Sequence, residues 1–195
     1  MFSELQWRIR KVKDGYIRIT VNTGQKPPDK IMNSYGYEAR FRKDLKKYGK
    51  IERIDLVINS PGGAVASAYG MLAALYDMKK CHGRVLIDDY AGSAATIVAF
   101  GCKAPVYIVP GGKIMVHMPK AVMTAGKGGI WATYERLAKR SAVNMIAAIY
   151  RGKCKKKRKE ILEWMENNRL MKDWECMEEG LCDGIMTRAE FEKGE

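Results

Sequence analysis

The chain has 195 residues, enough for one domain with a well-filled core. Its apolar fraction of 47% is ordinary for a globular protein, and no apolar run reaches the roughly 18 residues that span a bilayer. Five scattered cysteines with no CxxC pair, beside only two histidines, support neither a zinc centre nor a disulfide framework.

No cofactor or metal is expected. The N-terminal stretch Met1-Phe2-Ser3-Glu4-Leu5-Gln6-Trp7-Arg8 lacks the basic-then-apolar order of a signal peptide, so a cytoplasmic chain without membrane contact is expected. The net charge is +13, and residues 1–50 hold 13 Lys/Arg against 5 Asp/Glu. A second basic cluster lies at residues 153–159. Such charge suits nucleic acid or an acidic partner. Aromatic residues do not interleave with the cluster and no nucleic-acid motif is present, so a solvated basic face is the preferred reading.

In chain order, residues 15–21 alternate with period two and predict a strand. Residues 24–29, with two prolines and a glycine, predict a loop. Residues 37–48 predict a charged helix, and residues 51–59 a strand that ends in Asn59-Ser60-Pro61-Gly62-Gly63. Residues 64–78, rich in Ala, Leu, Met and Tyr, predict a buried helix that stops near His82-Gly83. His82 reads as a cation at that helix end. A strand at 84–88 leads through Gly92 into a short buried helix over 94–100. Short strands come next at 106–109 and 113–118. A glycine hinge at 125–129 precedes a long helix at 130–150, further helices at 155–167 and 174–180, and a last edge strand at 181–186. Strands alternating with helices give an α/β fold with repeated crossovers.

The glycine turn after the strand brings a backbone close to a ligand. Glycine has no side chain in the way, and free N–H groups at such a turn hold an oxyanion. Downstream stand hydroxyls in Gly92-Ser93-Ala94-Ala95-Thr96 and a histidine in Met115-Val116-His117-Met118-Pro119. Hydroxyl, histidine and glycine turn are the parts of an acyl-transfer site.

With Glu178-Glu179-Gly180-Leu181-Cys182-Asp183 added, these motifs in this order resemble ClpP, the proteolytic subunit of the Clp protease, and the ClpP-like proteases that phages encode. The likeness runs from about residue 54 to 185, while residues 1–50 match poorly. It implies a ClpP/crotonase-type spiral of βαβ units in a single domain, with residues 125–150 as a protruding handle helix. It implies a homo-oligomeric ring or double ring, an AAA+ unfoldase as partner, and peptide or unfolded-protein substrates. By this likeness Thr96 falls at the nucleophile position, His117 is the base, and Asn168 falls where the family has Asp. Ser93 and Glu166 are the alternates for the first and third roles. Gly62, Gly63 and Ile97 supply the oxyanion hole.

Two of these positions depart from the family pattern. Thr96 replaces Ser, and its extra methyl stiffens χ1 and crowds attack. Asn168 can orient an imidazole but adds no charge, and the Asp→Asn change in the template triad costs about 10⁴ in kcat. Each residue also has a structural reading: Thr96 as a helix-start cap, His117 as a strand-end histidine, the glycines as a tight turn. Three functions compete: an active endopeptidase, an impaired ClpP-like subunit serving as scaffold or partner of an active paralogue or in phage capsid assembly, and a crotonase-type acyl-CoA enzyme. The Ser60-Pro61-Gly62-Gly63 turn and the His117 motif disfavour the last.

Overall fold

The computed structural model describes residues 4–23, 34–76, 83–119 and 130–194, with the backbone alone for 130–136. Among the described residues eight strands form one mixed sheet: β1 (Leu5–Lys13), β2 (Tyr16–Thr23), β3 (Arg53–Ser60), β4 (Val85–Gly92), β5 (Val106–Ile108), β6 (Lys113–Met115), β7 (Leu170–Lys172) and β8 (Gly184–Ile185). The main order is β1-β2-β3-β4-β5-β8, with β6 on β4 and β7 on β6. From β2 to β8 the pairings on that path are parallel, and only the β1–β2 hairpin and the β6–β7 pair are antiparallel. The helices are α1 (Ser34–Leu45), α2 (Val65–Tyr76), α3 (Ala94–Gly101), α4 (Ile130–Cys154), α5 (Arg158–Glu166), α6 (Asp173–Glu178) and α7 (Arg188–Lys193). This is an α/β fold with a mostly parallel sheet, consistent with the ClpP type.

Parallel strands covered on both faces read as continuous apolar runs. Residues 54–58 of β3 and 85–87 of β4 are all buried. One face carries the main core, a single cluster in which Ile54, Leu56, Ile58, Val85 and Ile87 join buried residues of α1, α2 and α3. The other face is closed by α7, whose Phe191 is fully buried against Val57 and Leu86. Asp55 is also fully buried there. Its carboxylate accepts from Tyr16 Oη (2.8 Å), Arg53 Nη2 (3.0 Å) and Arg84 Nη2 (2.7 Å), and Arg84 also donates to the Phe191 carbonyl. A buried charge held by the side chains of Tyr16, Arg53 and Arg84 thus anchors the last helix.

β4 changes partner along its length. Residues 85–87 pair with β5, and residues 90–92 pair with β6. Between these halves the β3–β4 register slips: Ile58 faces Ile87, but Ser60 faces Ala91, and Asp89 takes φ 85°. Extra residues of this kind bend a strand and re-aim the residues beyond the bend. Here they direct Gly92 and Ser93 toward the end of β3.

Most predicted elements stand within a few residues of their expected ranges. β1, β7 and α7 are not among the elements that the sequence predicts, and the strand expected at 84–88 runs on to Gly92. The loop at 24–29, His82 and the hinge at 125–129 lie outside the described residues. Among the described residues no helix is long and apolar enough to cross a membrane.

Candidate active site

The parallel strands β3, β4 and β6 end side by side, and in open α/β sheets ligands bind at the carboxyl ends of strands. After β3 the chain passes Pro61 into Gly62, at φ 100°. The Gly62 N–H donates to Ser60 Oγ (3.1 Å), while Thr23 Oγ1 donates to the Gly62 carbonyl (2.6 Å) and lies 2.5 Å from Ser60 Oγ. Since the Thr23 proton goes to the carbonyl, Ser60 donates to Thr23. The turn is therefore braced from β2, a contact only the parallel β2–β3 pairing creates. With the Gly62 N–H engaged, the next donor is that of Gly63, which has no partner among the described residues.

The second turn lies against the first. A Cβ placed on Gly62 would sit 2.6 Å from the Gly92 carbonyl oxygen, 2.7 Å from Ser93 Cβ and 2.9 Å from the Ala94 nitrogen. Only glycine fits there. Ser93 sits between β4 and α3 at φ 52°, ψ −125°. Such a conformation costs a non-glycine residue of order 1–3 kcal/mol and clusters at active sites. A serine on a sharp, strained strand-to-helix turn is also the geometry that exposes a hydrolase nucleophile. Ser93 is part-exposed, and its hydroxyl has no hydrogen-bond partner among the described residues. Its N–H is fixed to the Met115 carbonyl of β6 (3.0 Å). The first two N–H groups of α3, on Ala94 and Ala95, have no partner among the described residues, as expected for orphan donors at a helix start.

Thr96 is differently placed. It is fully buried. Its Oγ1 donates to the Ser93 carbonyl (2.5 Å) and therefore accepts from the Tyr150 hydroxyl of α4, also 2.5 Å away. Burial raises the Tyr150 phenol above its ordinary range, so it stays protonated and donates. The hydroxyl expected to attack is sealed from solvent with both its bonds made inside the protein. Ile97, expected to give an oxyanion N–H, is also buried. It stands fourth in α3, past the open donors of Ala94 and Ala95.

His117 lies two residues beyond β6 and is part-exposed. Its neighbours are clamped: Val116 N–H donates to the Arg169 carbonyl and Met118 N–H to the Met165 carbonyl, both at 2.9 Å. Met115 faces Leu170 in the antiparallel β6–β7 pair. Continuing that register by two residues sets His117 opposite Asn168, and directly opposed residues share a face. Asn168 is exposed and takes φ 50°, which Asn tolerates better than most residues. Glu166, the alternate, is exposed at the last position of α5. Ser93, His117, Asn168 and the Gly62-Gly63 turn thus gather at one end of the sheet. A separate cleft lined by Lys11, Lys13, Tyr48 and Lys50 lies at the amino ends of the strands, away from these groups.

Sequence reasoning gave the brace residue Thr23 and the buried partner Tyr150 no part in the site, and Ser60 none beyond its place in the turn motif. No local signal marks Thr23 or Tyr150, because each acts across a long separation.

The Clp protease family model matches residues 44–189, three-quarters of the chain. The chain is 29% identical over 136 residues to the chloroplastic ATP-dependent Clp protease proteolytic subunit 3 of Arabidopsis thaliana, covering 68% of this chain and 42% of the relative. It is 26% identical over 135 residues to subunit 4 of the same plant, covering 68% and 45%. The matched segment thus spans less than half the length of these curated relatives. On the family match, which takes in the glycine turn, the Ser93 turn, His117 and Asn168, this chain belongs to the Clp protease family.

Proposed function

We propose that the chain is a ClpP-like peptidase subunit working through an acyl-enzyme, with Ser93 rather than Thr96 as its nucleophile. The observation that carries this reading is the strained Ser93 turn packed on Gly62, with its hydroxyl part-exposed and without a hydrogen-bond partner among the described residues. Ser93 Oγ attacks the scissile carbonyl carbon. His117 takes the hydroxyl proton and returns it to the leaving amine. Asn168 holds the imidazole through its side-chain carbonyl. The N–H groups of Gly63 and Ala94 receive the oxyanion, as donors on the turn and on the residue after the nucleophile do in hydrolases. Water then attacks the acyl-serine, with His117 again moving the proton.

Of the groups that act in this scheme, Asn168 stands where the family has Asp. The substrate is an extended peptide beside the strand end after Gly63. Assembly into rings through the long helix α4, and feeding by an AAA+ unfoldase, are part of the same proposal. The impaired-subunit reading stays in play for one reason: an uncharged Asn168 forgoes the charge that stabilises an imidazolium.

The test is hydrolysis of a fluorogenic N-acyl peptide by the full chain. Turnover lost in both Ser93→Ala and His117→Ala is expected. Turnover retained in Ser93→Ala would overturn the nucleophile, and a wild type without turnover would favour the scaffold reading.

A further inference from the structure

The Thr96 hydroxyl, not needed for attack, stands in a chain of hydrogen bonds with a fixed direction. Tyr150 O–H donates to Thr96 Oγ1, and Thr96 O–H donates to the Ser93 carbonyl. The same carbonyl also accepts the Thr96 N–H at 3.1 Å. Tyr150 is 2% exposed and stacks at a tilt on Phe100 of α3, ring centroids 5.7 Å apart. Ser93 is pinned on its other side by the bond from its N–H to the Met115 carbonyl. A residue at φ 52°, ψ −125° persists only where its surroundings over-determine it. The relay from Tyr150 supplies part of that determination on the carbonyl side.

We propose that Tyr150 is a positioning residue for this site, acting through Thr96 on the Ser93 carbonyl to hold the nucleophile's turn in its strained form. The proposal rests on Ser93 being the nucleophile. It gives Thr96 a task that needs a hydroxyl and a buried site, and it explains why a residue 54 positions away on α4 meets the first turn of α3.

The experiment measures the second-order rate of labelling by a fluorophosphonate, well below the melting temperature of every variant. Tyr150→Phe keeps the ring on Phe100 and removes the donor. Thr96→Val removes the relay, and Thr96→Ser keeps it. Labelling about five- to tenfold slower is expected for the first two, and a rate within twofold of wild type for Thr96→Ser. The double variant Tyr150→Phe/Thr96→Val leaves no buried hydroxyl unpaired, so its melting temperature should recover toward wild type while its labelling stays slow. A role in stability alone would restore both together, and that result, or wild-type labelling in Tyr150→Phe, would overturn the proposal. Hydrogen exchange of the peptide covering residues 90–100 gives a readout that needs no chemistry: faster exchange in Tyr150→Phe but not in Thr96→Ser is expected, and unchanged exchange in Tyr150→Phe counts against the relay. Ser93→Ala separates the two claims. If it labels like wild type, the nucleophile reading fails. If it is silent while Tyr150→Phe labels normally, only the relay fails.

Discussion

Replacing Gly62 by Ala tests the contact on which the site depends. The substitution faces two costs. The backbone at φ 100° strains any residue with a Cβ, at about 1–3 kcal/mol. The new methyl also meets the Gly92 carbonyl oxygen at 2.6 Å, Ser93 Cβ at 2.7 Å and the Ala94 nitrogen at 2.9 Å. Two of these are backbone atoms that cannot swing aside, and overpacking of this kind costs about 1–3 kcal/mol more. The sum, about 2–6 kcal/mol, is a large part of the 5–15 kcal/mol that holds a typical domain together. Urea unfolding followed by far-UV circular dichroism reads the loss, and fluorophosphonate labelling reads the site. Gly152→Ala is the matched control: Gly152 lies inside α4 with nothing within 4 Å of an added Cβ, so Ala there should stabilise by about 0.5–1 kcal/mol. If Gly62→Ala stayed within about 0.5 kcal/mol of wild type and labelled at the wild-type rate, the packing of one turn on the other would not be as described.

Asp55→Asn should cost about 3 kcal/mol, measured by urea titration at neutral pH, because it strips the counter-charge from Arg53 and Arg84. Burial alone would raise the Asp55 carboxyl, but the bonds from Arg53, Arg84 and Tyr16 outweigh it and hold it below its ordinary range. A depressed carboxylate gives stability that is present above its unfolded pKa and lost as pH falls through its folded one, so wild-type stability should decline steeply below about pH 4 and that of Asp55→Asn less so. Asn168→Asp should raise kcat at least about tenfold by adding charge behind His117, with KM little changed; unchanged or lower turnover would remove Asn168 from the site. Cys102 is pushed up to about 11 and Cys154 is also raised, both chiefly by burial, and Cys182 is raised first by its bond with Cys176 and then by burial. Iodoacetamide at pH 7.5 should therefore leave these three unmodified in the folded protein, as peptide mapping will show.

The strands and helices of the central fold were legible because their signals are local. Residues 54–58 are apolar but for Asp55, the Gly62-Gly63 turn follows the strand, and alanines mark the helix after Ser93. β1 was hidden because Arg8, Arg10, Lys11 and Lys13 make it read as a basic surface segment. That composition suits the edge strand it is, where charge discourages further pairing. β7 spans three residues and exists only as the antiparallel partner of β6. α7 is six residues long and is held by Phe191 and Arg84, a contact between positions 107 apart. The site was half legible. The turn, His117 and the Asn168 loop could be placed by motif, but the choice between two hydroxyls three residues apart could not. It depends on where β4 ends and α3 begins, on the slipped register around Asp89, and on a tyrosine from α4 that bonds the buried Thr96 hydroxyl.

The most direct test of the account is to label the wild-type protein with a fluorophosphonate, digest it, and locate the adduct by fragment mass spectrometry. One adduct on Ser93, absent in His117→Ala, is the predicted result. An adduct on Thr96, or one on Ser93 that forms just as fast without His117, would contradict it.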